Sequence, residues 1–197
     1  MTIAEKLTTV AENQQNVYDA GKQAEQAWTD AIIRRHEVGH YYNDRVPNLG
    51  AHCFNYCTSL LSANFPNVTK TSVSCFSNCS AMTEVHLPKL YDVAGQALFS
   101  GCSVLEFVDY GSGLVVQANT FLNCEALKTI VIRNTSRVPT LLNISAFNGT
   151  PFAQGGTGGK IYAPSAWLEQ YKTETNWSAL YGYGTVELIA LEGSEYE

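Results

Sequence analysis

Two sets of residues in this chain have the types and spacing to do chemistry: the first would hold zinc, the second would form disulfides or hold zinc. His36-Glu37-Val38-Gly39-His40 matches H-E-x-x-H, in which two imidazoles one helical turn apart hold zinc and the glutamate activates a water. Six cysteines form the second set, with Cys53/Cys57 and Cys75/Cys79 in matching C-x3-C spacing. Each reading fails on what surrounds it. The zinc helix needs a third ligand, but Asn43 and Val46 stand where the extended motif carries Gly and His. Gly39 costs a helix interior about 1 kcal/mol relative to alanine. The chain beyond His40 is repetitive, leaving no room for the sheet and cleft of a protease. Residues 36–45 are therefore read as a linker.

The cysteines are better explained by the elements that carry them. Four near-copies of one phrase organise the chain: Cys53-Phe54-Asn55-Tyr56-Cys57, Cys75-Phe76-Ser77-Asn78-Cys79, Leu98-Phe99-Ser100-Gly101-Cys102 and Thr120-Phe121-Leu122-Asn123-Cys124. The last Cys recurs after 22, 23 and 22 residues. A fixed period in this range marks a stacked array, in which one unit cannot bury its own apolar face. Cys57, Cys79, Cys102 and Cys124 keep the register, whereas Cys53 and Cys75 give way to Leu98 and Thr120. A metal site needs all its ligands; a packing column accepts leucine, and a thiol packs as a small hydrophobe. The expectation is no metal, no cofactor and no catalytic residue. Gly155-Gly156-Thr157-Gly158-Gly159 is no phosphate loop either, because it lacks the Lys-Ser/Thr ending.

After each phrase comes an apolar pattern at fixed offsets, such as Met82, Val85 and Leu87, or Leu127, Ile130 and Ile132. This is the L-x-x-L-x-L strand signature of leucine-rich repeats. Residues 46–152 resemble the BspA-like bacterial surface-antigen repeats, also called Treponema-type, with a consensus near A-F-x-x-C-x-x-L-x-x-I-x-L-P. A fifth phenylalanine, Phe147, lacks the following Cys and suggests a degenerate last repeat. The fold expected is α+β: a short solenoid of about four to five repeats with parallel strands. An N-terminal long helix (residues 1–35) and a C-terminal α/β cap (residues 153–197) flank it. Gly159-Lys160-Ile161-Tyr162-Ala163-Pro164, Tyr171-Lys172 and Asn176-Trp177-Ser178 resemble the closing module of such arrays. There Ser165 is expected to cap a helix running through Thr173.

Composition narrows the partners. A net charge of −6 and a pI of about 5.2 argue against nucleic acid or an anionic membrane as the main partner. No stretch has the length and apolarity of a membrane-spanning helix. The N-terminus lacks the basic start and apolar core of a signal peptide, so ordinary secretion is not expected. The six N-x-[ST] sequons, at Asn67, Asn78, Asn134, Asn143, Asn148 and Asn176, then carry no weight.

Ile3, Leu7, Val10, Gln14, Val17, Gly21, Ala24, Trp28 and Ala31 recur at alternating spacings of four and three, a heptad seam that Gln14 and Gly21 weaken. Two uses compete, docking or oligomerisation and a cap on the first repeat; the length favours docking. Thr2-Ile3-Ala4-Glu5-Lys6-Leu7 and the run from Ala11 to Lys22 resemble leader helices of virion proteins from phages and prophages of gut Firmicutes. That likeness implies a virion component, assembled in the host cytoplasm. Its helix would meet copies of itself or other virion proteins, and its repeats a host-surface protein or glycan. The alternatives are a BspA-like cell-surface adhesin and a zinc enzyme using His36, Glu37 and His40. Outward strand positions should form two rows: Ser62, Glu84, Phe107 and Thr129, then Asn64, His86, Asp109 and Val131. Either they are a solvated face or a shallow recognition surface centred on Phe107 beside Glu84, His86 and Asp109.

Overall fold

Each layer opens with a short strand whose middle side chain faces inward and whose two neighbours face out. The computed structural model describes residues 39–134 and 136–197. The proposed helix and its seam, with His36 and Glu37, lie outside the described residues. The first layer holds β1 (His40–Tyr42) and β2 (Asn48–Leu49), the second β3 (Ser62–Asn64) and β4 (Lys70–Thr71). The third holds β5 (Glu84–His86) and β6 (Asp92–Val93), and the fourth β7 (Phe107–Asp109) and β8 (Val115–Val116). The fifth holds β9 (Thr129–Val131) and β10 (Thr140–Leu141). A closing segment adds β11 (Gly159–Ala163), helices α1 (Leu168–Tyr171) and α2 (Trp177–Gly182), and β12 (Val186–Ala190).

In the five layers, strands pair between layers and never within one. The seven-stranded sheet has the order β1-β3-β5-β7-β9-β11-β12, all its pairs parallel. On the other side of the core, β2-β4-β6 form a three-stranded sheet and β8-β10 a pair. The inner row of the large sheet is Tyr41, Ala63, Val85, Val108, Ile130, Ile161 and Leu188, in register. β1 corrects one expectation. Residues 36–45 were to be linker, yet His40–Tyr42 sit 22 residues before Ser62–Asn64 and pair with them. His40 is thus an extended residue, which a zinc helix could not use.

The repeated phrase forms the third corner of each layer. Phe54 stacks on Phe76 at 5.2 Å between ring centres, Phe76 on Phe99 at 5.7 Å and Phe99 on Phe121 at 5.7 Å. Phe147 continues the ladder 5.3 Å beyond Phe121, so the degenerate last repeat keeps its ring. Tyr41 packs edge-on against Phe54 at one end, while Phe152 and Trp177 close the other. The phenylalanine amides are bonded to the next layer: Phe54 N–H donates to Cys75, Phe76 to Leu98, Phe99 to Thr120 and Phe121 to Ala146 carbonyls. The fourth position of every phrase (Tyr56, Asn78, Gly101, Asn123, Gly149) has positive φ. That explains its run of Asn and Gly, the residues that tolerate this conformation.

The single spacing of 23 falls between Asp92 and Cys102. Gly95 lies in that stretch, and a Cβ there would stand 2.4 Å from the Val73 backbone nitrogen. Only glycine lets the longer layer lie flat on its neighbour. In the closing segment, Ser165 does not cap a long helix. Its amide donates to the Glu192 carboxylate, residues Ser165–Trp167 form a 3-10 turn, and α1 is a single turn. Pro164, which has no side-chain group to cap with, occupies the cap position.

Candidate functional site

The outer face of the large sheet carries two continuous rows of side chains. One reads His40, Ser62, Glu84, Phe107, Thr129, Lys160, Glu187; the other Tyr42, Asn64, His86, Asp109, Val131, Tyr162, Ile189. Parallel strands lie about 4.8 Å apart, so neighbours in a row are within reach of one extended ligand. The register brings together all six residues expected on this face: Glu84, His86, Phe107, Asp109, Thr129 and Val131. Their environments differ sharply along it.

The second row is covered at one end, while Lys160 and Glu187 of the first row stay exposed there. The last residues of the chain fold back so that the Tyr196 ring packs edge-on 4.7 Å from Tyr162 and tilted 5.3 Å from Phe107. Leu191, Val131 and Tyr162 form a small separate core beneath it, with Phe107 and Ile189 at the margin. Val131 is therefore buried, and Phe107 is half-buried rather than the exposed centre expected. Asp109 is also buried, because its carboxylate is committed to Arg133. The guanidinium donates from Nε to both oxygens at 3.1 Å and from Nη2 at 3.0 Å, and the Gly111 amide adds a fourth bond. The tail has no repeat pattern, so nothing in the periodicity placed it here.

The other end is open. Tyr42 is 64% exposed, His40 and Glu84 are exposed, and Ser62, Asn64 and His86 are half-exposed. His40 Nδ1 lies 2.7 Å from Ser62 Oγ, and His86 Nε2 lies 3.8 Å from a Glu84 oxygen. The His86 ring rests 5.1 Å from Phe107, which joins the open end to the covered one. His40 and Tyr42 were missed because the zinc-like motif drew their segment into a linker. The signal was present: His40-Tyr41-Tyr42 falls one period before Ser62-Ala63-Asn64.

The cysteine column behaves as packing. Cys79, Cys102 and Cys124 are buried, and their thiols donate to the carbonyls of Phe54, Phe76 and Phe99 at 3.0, 3.0 and 3.2 Å. Burial pushes the Cys124 thiol up to about 12. Tyr110 and Tyr171 are likewise raised above the ordinary phenol range by burial. Thr150 takes the cysteine's place in the last repeat and bonds the Phe147 carbonyl. Among the described residues, no three His, Cys, Asp or Glu side chains converge as a metal site would require. Nor is any helix among them long and apolar enough to cross a membrane.

Stacked parallel strands, a phenylalanine ladder and a cysteine column define a leucine-rich-repeat solenoid. Residues 41–151 match the BspA type leucine rich repeat region in six copies, and the chain belongs to that family. The match starts five residues before, and counts more copies than, the four to five repeats expected from residue 46. No curated protein matches the chain. Among solved structures it is similar to a leucine rich cell surface protein from Faecalibacterium prausnitzii A2-165, with 22% identity and a TM-score of 0.48. That alignment covers 73% of this chain but only 35% of the other, so this chain spans about a third of it. The virion reading gains nothing from the family match.

Proposed function

We propose that this chain is a non-catalytic recognition module of the bacterial cell surface, contacting a protein or glycan through the open end of its outer sheet face. Membership in a family of surface-antigen repeats supports the location. One observation carries the site: Tyr42, Asn64 and His86 in one row, beside His40, Ser62 and Glu84, are open while the tail packs over Val131 and Tyr162 further along that row. An aromatic ring, two imidazoles, an amide, a hydroxyl and a carboxylate can accept and donate over a flat surface. They suit a broad, shallow contact rather than a deep pocket.

Arrays of extracellular-matrix proteins and glycans, probed with the purified chain, test the reading. A Tyr42→Ala/His86→Ala variant should bind its array ligand at least about tenfold more weakly with an unchanged melting temperature. Undiminished binding would remove the face from consideration. Residues 1–35 serve as the docking or oligomerising segment in this reading. Light scattering on the full chain carrying Leu7→Asp and Trp28→Asp should then report a smaller particle than the native chain.

A further inference from the structure

Two sulfur columns run through the stack, and their sulfurs face different things. In the column already described, Cys79, Cys102 and Cys124 point at backbone carbonyls. The second column reads Cys53, Cys75, Leu98, Thr120, so only its first two layers carry sulfur. There the sulfurs face each other: Cys53 Sγ lies 2.9 Å from Cys75 Sγ, and both are thiols. Backbone bonds on either side hold the layers together, His52 N–H to Val73 at 3.0 Å and Phe54 N–H to Cys75 at 2.8 Å. Layers bonded in this way sit about 4.8 Å apart, within the roughly 4.4–6.8 Å between Cα atoms that a disulfide spans. A bond of about 2.05 Å needs the two sulfurs to close by less than about 1 Å.

We propose that Cys53 and Cys75 are a redox-responsive pair that closes to a disulfide and clips the first repeat to the second. The oxidant is a low-molecular-weight disulfide such as glutathione disulfide. Cys53, half-exposed, is the thiol such a molecule can reach; Cys75 is buried. The Cys53 thiolate attacks one sulfur of the oxidant, expels one small thiolate and leaves a mixed disulfide. The Cys75 thiolate then attacks the Cys53 sulfur and expels the second. Two protein thiols lose two electrons and two protons, and one small disulfide becomes two thiols. Burial holds Cys75 well above the ordinary thiol range, with its hydrogen bond to Cys53 adding to the effect, so the second attack sets the pace. The bond would close a loop between residues 22 apart.

The test uses the full chain, reduced and then equilibrated with excess glutathione disulfide at neutral pH. Thiols are counted after denaturation, and linked peptides are mapped by fragmentation mass spectrometry. The expected result is a fall from six thiols to four, a Cys53–Cys75 linkage, and a melting temperature raised by roughly 5–10 °C that reductant reverses. Cys53→Leu, which copies the Leu98 of the same column, should show neither the linkage nor the rise. Six thiols after oxidation, a lasting glutathione adduct on Cys53, or a bond between other cysteines would each overturn the proposal. The mapping on the native sequence decides the matter even if the variant does not fold.

Discussion

Replacing Phe99 with alanine should be among the most damaging single changes in this chain, and Phe54→Ala should be much milder. Phe99 is fully buried at the middle of the ladder, with Phe76 and Phe121 each 5.7 Å away in stacked geometry. Truncating a buried phenylalanine costs about 3–5 kcal/mol, and each aromatic pair lost adds about 0.5–1.5 kcal/mol in favourable cases. The hole cannot readily collapse. The Phe76 and Phe99 amides are tied to the next layers, which fixes the spacing of the rings above and below. The upper part of the range follows, about 4–5 kcal/mol, a large share of the roughly 5–15 kcal/mol that holds an ordinary domain. Phe54 is half-buried and, among the described residues, stacks on a ladder ring on one side only, so its loss should cost about 2 kcal/mol. Urea unfolding followed by far-ultraviolet circular dichroism gives both values. Equal costs, or a Phe99→Ala cost below about 1.5 kcal/mol, would refute the stacked ladder as the main source of stability.

The Asp109–Arg133 ion pair should be asymmetric. Arg133→Ala leaves a carboxylate only 5% exposed without its partner and should cost about 3–5 kcal/mol; Asp109→Ala frees a 27% exposed guanidinium that can turn to water and should cost less. The same urea assay orders them, and the reverse order would contradict the burial argument. Stability should also fall at alkaline pH. The Cys124, Tyr110 and Tyr171 groups are held neutral by burial, so the unfolded chain loses these protons first. Their contribution is complete below the ordinary thiol value of about 8.5 and declines as pH climbs through the folded value of about 12 for Cys124. Urea midpoints at pH values across that interval should decrease steadily, and a flat profile would count against it.

The array was legible because its physics repeats. The spacing of Cys57, Cys79, Cys102 and Cys124 gave the layer length, and the apolar offsets after each Cys gave the strand centres Val85, Val108 and Ile130. Alternation then placed Glu84 and His86 on the outer face. What escaped notice lacked a second copy. Residues His40–Tyr42 repeat the strand but lack the phrase ahead of them, and a five-residue motif outweighed the period. The tail from Leu191 to Glu197 packs through two aromatic contacts of Tyr196, which no periodicity announces. It covers Val131 and shields Phe107, so the open part of the Val131 row lies nearer β1 than expected. The commitment of Asp109 to Arg133 was equally hidden, since the two are 24 residues apart and only the fold brings them together.

Amide hydrogen exchange, resolved by residue, tests most directly whether this chain is a pile of bonded layers that displays one open face. Protection should peak every 22 or 23 residues along Ala63, Val85, Val108 and Ile130, with the Phe76, Phe99 and Phe121 amides outlasting that of Phe54. Protection without that period, or a Phe54 amide slower than Phe99, would contradict the layered architecture and the recognition surface built upon it.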